Sequence, residues 1–260
     1  MRLILVRHGE SVGNSEGRLQ GNADYDLTEL GQRQALETGR RLAAEGVSAV
    51  YASTLRRALL TARVVGEQTG QAPVDLPEVR EYDFGSLSGL TYAALRQRFA
   101  ALPPAPDGQP AERTYPGEEG RDSFYRRVTE SVWDVVCRHP GESVAIVSHG
   151  GPIALFTQAA LGLPYRRPMP FAIDNCSLTV FQVRDPSTSP SRAPSTSSGR
   201  SSGGASGRGP STSPSRAPST SSGQAQPTAD NARQRAVPFD KLGAVLVALN
   251  DTCHLAGLRG

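Results

Sequence analysis

The chain has 260 residues, 37% of them hydrophobic and 20% charged, enough for one well-packed α/β domain. Its formal charge is +3, but residues 184–236 hold seven Arg and two Asp, so the remainder stands at −2 and lacks the basic surface expected of a nucleic-acid binder. No run of about 18 apolar residues occurs, so no membrane span is expected. Three widely spaced cysteines, Cys137, Cys176 and Cys253, in neither a CxxC nor a Cys/His ligand pattern, predict buried, reduced thiols in the cytoplasm rather than disulfides or zinc.

The chain opens on Leu3-Ile4-Leu5-Val6, a short buried strand that stops at Arg7-His8-Gly9. In an open parallel sheet ligands bind beyond the carboxyl ends of the strands, and Gly9 lets the backbone approach one. His8, neutral for much of the time near pH 7, offers a lone pair for attack on phosphorus, and Arg7 offers a fork of donors matched to phosphate oxygens. A polar loop follows from Val12 to Asp26, with Ser11, Asn14, Arg18 and Gln20-Gly21 as possible ligand contacts.

Thr28 is a plausible N-cap for an amphipathic helix that Gly46 ends, and Ala49–Ala52 reads as a second strand. The next helix runs from Arg56 to about Gln68, with Gly70 as its stop. Arg56 and Arg57 in its first turn point about 100° apart, so one can face a site while the other is solvated. Between Pro73 and Gly89 lies a loop-rich passage with Glu81 and Asp83 among aromatic residues, where burial could raise a carboxyl pKa into the range of a proton donor. The alternative there is a loop whose Phe84 and Leu87 dock on the core while Glu81 pairs with an arginine.

Thr91 caps a short helix to about Ala101, and the proline-rich stretch Pro103 to Gly120 could form a lid. A helix from Asp122 carries Phe124, Val128, Val132, Val135 and Val136 on one face and stops at His139-Pro140-Gly141, with His139 as an exposed C-terminal cap. Ser143–Val147, continuously apolar as a central parallel strand should be, ends at Ser148-His149-Gly150-Gly151-Pro152. Three strands thus deliver Arg7-His8, Arg57 and His149 just past their carboxyl ends. The last strands are read at Ser177–Val183 and Ala244–Leu249. Between them, PSTSPSRAPSTSSG occurs twice, at Pro186–Gly199 and Pro210–Gly223, with no large apolar side chain to bury. Residues 184–236 therefore read as a disordered insertion joining neighbouring strands, which the slow growth of loop-closure cost tolerates.

Four of these motifs, Arg7-His8-Gly9-Glu10-Ser11 with Asn14, Ser53-Thr54-Leu55-Arg56-Arg57-Ala58 with Thr61-Ala62, Glu81 ahead of Phe84-Gly85 and Gly89, and Ser148-His149-Gly150-Gly151, resemble in order those of the histidine phosphatase superfamily, the phosphoglycerate mutase-like fold. Asn250-Asp251-Thr252-Cys253-His254-Leu255 is similar to the closing segment of its bacterial broad-specificity and α-ribazole phosphatase branch. The resemblance covers residues 1–183 and 237–260 and implies a three-layer α/β/α sandwich with a mostly parallel sheet. It implies His8 as the phosphorylated residue, Arg7, Arg57 and His149 as phosphate ligands, Glu81 as proton donor, and Ser11, Asn14, Gly21 and Gly150 at the substrate. Neither a metal nor a cofactor is implied.

The chain departs from the pattern at Asp26, where proline often precedes Leu-Thr, and at Val12-Gly13, where the glycolytic mutases carry an aromatic. The Glu81 region also lacks their basic continuation. These departures favour a phosphomonoester hydrolase for small metabolites over a 2,3-bisphosphoglycerate-dependent mutase. The reading of another class is a non-catalytic phospho-ligand or protein-binding module, with the repeat insertion as its recognition element.

Overall fold

A computed structural model describes residues 1–100, 115–164, 171–184 and 244–258. The repeat and most of the stretch read as a lid lie outside the described residues. The described elements run β1 (Arg2–Arg7), α1 (Val12–Ser15), α2 (Glu29–Ala44), β2 (Ala49–Ala52), α3 (Arg56–Thr69), β3 (Val74–Asp75), α4 (Tyr92–Ala100), α5 (Arg121–Arg138), β4 (Ser143–Ser148), α6 (Gly150–Ala160), β5 (Leu178–Val183) and β6 (Ala244–Asp251).

The six strands form one sheet in the order β3-β2-β4-β1-β5-β6. β1 pairs in parallel with β4, β4 with β2, and β2 with β3, whereas β5 and β6 join antiparallel at the other edge. The sheet is mixed, and β1 lies inside it with a partner on each side. Its apolar run is continuous because both faces are covered, and successive side chains go to opposite faces. Leu3 and Leu5 join Phe124, Val128, Val132 and Ile153 from α5 and α6 in one core. Ile4 and Val6 join Leu42, Ala58, Ala62 and Val65 from α2 and α3 in the other. These two cores make the three-layer α/β/α sandwich. Each of the four β1 side chains, at most 2% exposed, stabilises by roughly 1.5–3 kcal/mol.

The caps are local. Thr28 Oγ1 accepts from Gly31 N in the first turn of α2, and Gly70, at φ 71°, ends α3 in the left-handed conformation. The exit of β1 presses backbone to backbone on the start of α2: a Cβ at Gly31 would stand 2.0 Å from Glu10 O, and one at Gly9 would stand 2.5 Å from Gly31 O. No side chain fits at either position.

The structure corrects several expectations. The stretch read as loop from Val12 begins with α1, nucleated by a capping box between Ser11 and Asn14. Val74–Asp75 forms β3, too short to show any alternation in sequence. His139 is the C-cap of α5, as expected, but it is half-buried rather than exposed, its ring bridging the Tyr51 hydroxyl at 2.9 Å and Glu142 Oε2 at 3.1 Å. Of the cysteines only Cys176 is buried; Cys137 lies on the solvent side of α5 and Cys253 on the turn after β6, both exposed.

Candidate active site

The carboxyl ends of β1, β2 and β4 meet at a cavity of about 290 Å³, with His8, Arg7, Arg57 and Glu81 in its wall. His8 is 2% exposed. Its backbone is fixed from two sides, since His8 N donates to Ser148 O at 3.0 Å and His8 O accepts from Asn175 Nδ2 at 3.0 Å. The ring nitrogen Nδ1 lies 2.7 Å from Gly9 O. A carbonyl can only accept, so Nδ1 carries the proton and Nε2 keeps the lone pair. That lone pair accepts from Arg57 Nε at 3.2 Å, which fits the same tautomer. Burial first, then the charges of Arg57 and Arg7, hold the His8 pKa well below its usual value and keep the ring neutral.

Arg57 is 1% exposed, while the side chain of Arg56 is 60% exposed and paired with Asp26, so the two arginines divide between site and solvent. Arg57 enters the site because the apolar face of α3 seats Ala58, Ala62 and Val65 on the sheet and turns residue 57 toward the strand ends. Its NH1 and NH2 donate to Ala23 O and Gly21 O, both at 2.8 Å, which ties the Gly21 loop to the guanidinium. Burial pushes its pKa down to about 10, still charged at neutral pH. Arg7 donates to Ile173 O, but its Nε is buried without a partner. Among the described residues, neither arginine forms a salt bridge. Arg57 is buried and Arg7 half-buried, and the charge of Glu81 offsets the cost of both only in part, so an anion joining them would be favoured.

His149 is the N-cap of α6 and is fully buried, its ring centroid 5.1 Å from that of His8. Nε2 lies 2.7 Å from Ser53 Oγ, while Nδ1 is buried without a partner. Burial, then Arg57, holds its pKa well below the usual value. Glu81 also lines the cavity. Its Oε1 accepts from Tyr82 N at 2.8 Å and its Oε2 from Gly151 N at 3.1 Å, at the start of α6 where the helix dipole favours a carboxylate. A Cβ at Gly151 would fall 2.1 Å from Glu81 Oε1, so only glycine leaves the carboxylate in this seat.

Asn14 and Gly21 line the cavity, as do Arg18 and Gln20 from the same loop. Ser11 does not. Fully buried, it places its hydroxyl 2.9 Å from Asn14 Oδ1 and 2.8 Å from Gln20 Oε1, and so orients two residues that do. Gly150 also stands back from the wall, which Gly151 forms in its place. Asn175, Ser53, Thr61, Tyr92 and Gly151 are parts of the site that sequence reasoning passed over. Thr61 Oγ1 accepts from Gly9 N at 3.0 Å, and Tyr92 lines the mouth. An available signal for Ser53, Thr61 and Gly151 was their place within motifs already singled out. Asn175 carried none, since it reaches the site only because β5 runs antiparallel and starts where β1 ends.

Asp251, Cys253 and His254 bring their ligand atoms within 4.8 Å of one another, a grouping that the ligand-spacing test on the cysteines overlooked. The Arg41 guanidinium already occupies the place of a cation there, donating to Cys253 Sγ at 3.1 Å and approaching Asp251 Oδ2 at 3.4 Å. No helix among the described residues is long and apolar enough to cross a membrane.

The chain is also similar to known proteins. The chain is 31% identical over 185 residues to phosphoserine phosphatase 1 of Hydrogenobacter thermophilus, covering 71% of this chain and 88% of that protein. It is 32% identical over 194 residues to phosphoglycerate mutase-like protein 4 of Arabidopsis thaliana, covering 70% and 80%. A solved mycobacterial glucosyl-3-phosphoglycerate phosphatase, in complex with VO3, superposes with a TM-score of 0.62 at 32% identity, over 70% of this chain and 91% of that one. Residues 3–192 match the model of the histidine phosphatase superfamily, branch 1, and the chain belongs to that family.

Proposed function

We propose that the protein hydrolyses phosphomonoesters of small metabolites without a metal, through a phosphohistidine at His8. The observation that carries this reading is the His8 tautomer: the Nδ1–H bond to Gly9 O leaves the Nε2 lone pair in a cavity shared with the buried Arg57 and the half-buried Arg7, neither of them salt-bridged among the described residues. A phosphoryl group supplies the missing anion. Its oxygens accept from Arg7 Nε and Arg57, and His149 is taken as their third ligand. The charged oxygens draw the Arg57 donor away from His8 and free the lone pair for attack.

In the first step Nε2 bonds to phosphorus as the ester P–O bond breaks, and the leaving oxygen takes a proton from Glu81. In the second, water attacks the phosphorus, Glu81 as carboxylate takes a proton from it, the P–N bond breaks, and orthophosphate leaves. The names of the first relative and of the mycobacterial structure support a phosphatase. The Arabidopsis relative keeps a mutase in view, in which a second monophosphate rather than water accepts the phosphoryl group.

Asn14, Gly21, Arg18 and Tyr92 are proposed to meet the alcohol part of the substrate. Exposed free thiols at Cys137 and Cys253 fit a reducing compartment, taken here as the cytoplasm. The repeat composition of residues 184–236 supports a linker insertion outside the catalytic domain. Phosphate release from a panel of phosphomonoesters, with EDTA present and 3-phosphoglycerate included, tests the reading. Release that survives EDTA and vanishes in His8→Ala supports it. Bisphosphoglycerate-stimulated interconversion of phosphoglycerates without release would replace it by the mutase, and inactivity in both assays would leave a binding module.

A further inference from the structure

Glu81 lies in a segment with little regular structure of its own, so something outside it must set where the carboxylate stands. Glu78, Arg80 and Glu81 all direct their carbonyls at one side chain, Arg127 on α5. Its NH1 donates to Glu78 O and, at 2.8 Å, to Arg80 O, and its NH2 donates to Glu81 O at 3.0 Å. The remaining face of the guanidinium is taken by Glu119, with Nε to Oε2 at 2.8 Å and NH2 to Oε1 at 2.6 Å. Glu119 in turn grips the other side of the same segment: its Oε1 accepts from Asp83 N at 2.9 Å, and its backbone N donates to Asp83 O at 3.2 Å.

Arg127 does not line the cavity. It holds three carbonyls on one flank of Glu81, and its ion-pair partner holds both backbone groups of Asp83 on the other. The planar fork suits this task, because five donors in fixed directions meet several acceptors at once, whereas a lysine ammonium is a point charge on a flexible stem.

We propose that Arg127 and Glu119 are a positioning pair for the proton donor, fixing the backbone from which Glu81 reaches the leaving oxygen. The inference rests on the role given to Glu81 above. A group that acts only through proton donation matters in proportion to how poor the leaving group is. An alkoxide needs the proton as the P–O bond breaks, while p-nitrophenolate leaves without it. The pair therefore affects alkyl esters selectively, which general loosening of the fold does not do.

The experiment measures kcat/KM, which reports the first P–O cleavage, for p-nitrophenyl phosphate and for the best alkyl phosphate of the panel. The proteins are the full chain and its Glu81→Gln, Arg127→Met, Arg127→Lys and Glu119→Gln variants. Glu81→Gln is expected to lose about 10²-fold or more on the alkyl ester and far less on the aryl ester. Arg127→Met should repeat that selectivity, with a loss of about 10-fold or more confined to the alkyl ester, and Glu119→Gln should follow in the same direction. Arg127→Lys should recover only part of the activity. Equal losses on both esters, or none on either, in the Arg127 and Glu119 variants would overturn the proposal while Glu81→Gln stays selective. An unselective Glu81→Gln would instead overturn the proton-donor role itself. Should Arg127→Met fail to fold, Arg127→Lys and Glu119→Gln carry the same test.

Discussion

Replacing Gly151 by alanine puts a methyl group where the Glu81 carboxylate now sits. The new Cβ would lie 2.1 Å from Oε1, 3.1 Å from Cδ and 3.3 Å from Oε2. Restoring even a tight contact of 3.0 Å requires Oε1 to retreat by about 1 Å, and a misplacement of that size costs about 10²-fold in rate. In free energy that is about 2.7 kcal/mol of transition-state stabilisation. The fold itself should not suffer. The obstructing atoms are the end of a flexible side chain, and alanine is the better helix former at the second residue of α6. Gly151→Ala is therefore expected to unfold at the same temperature as the wild type or higher, while kcat/KM for alkyl phosphates falls about 10²-fold and that for p-nitrophenyl phosphate falls far less. Steady-state kinetics on both esters beside a thermal melt would decide it. Undiminished turnover of alkyl phosphates would show that the carboxylate works equally well from elsewhere and would refute the reasoning.

Other consequences follow from the buried cations and imidazoles. His8 and His149 have folded pKa values below the unfolded value of about 6.5, so the unfolded chain binds more protons once the pH drops below it. Their contribution to stability is complete above about pH 6.5 and is lost as the pH falls from there, by about 1 kcal/mol per histidine between pH 6.5 and 5.5. Urea unfolding at both pH values should show a loss smaller by that amount in His8→Gln; an identical pH dependence would contradict the burial argument. Orthophosphate at about 100 times its dissociation constant should stabilise the wild type by roughly 2.7 kcal/mol, and the same concentration should leave Arg57→Met unmoved in a thermal melt. Equal shifts in the two proteins would remove Arg57 from the phosphate site. Deleting Pro186 to Gln234 is expected to leave turnover within about a few-fold, since closure cost changes slowly with loop length. Collapse of activity in a folded deletion protein would give the repeat a role.

Much of the site could be read from local sequence because its main parts are local events at strand ends. Arg7-His8 follows directly on the apolar run of β1, His149 directly on that of β4, and the period of α3 predicted that Arg56 and Arg57 would separate. The division of β1 into two cores also follows from alternation, once both faces are covered. What sequence did not show depends on how distant segments meet. Asn175 reaches His8 through the antiparallel polarity of β5. Arg127 looks like one more charged residue of an amphipathic helix until the carbonyls of Glu78, Arg80 and Glu81 are seen converging on it. Ser11 resembled a ligand contact because its neighbours are, but its hydroxyl is consumed by capping α1 and holding Gln20. The tautomer of His8 was likewise hidden, since it is set by the direction of one carbonyl, that of Gly9.

The most direct measurement is an acid and alkali quench of the enzyme mixed with a phosphomonoester labelled in its phosphoryl group, with EDTA present. The expected result is label on the protein within the first turnover, stable to alkali, lost in acid, recovered in the peptide containing His8 and absent from His8→Ala. Turnover without such label, or acid-stable label on another residue, would contradict a phosphohistidine intermediate at His8.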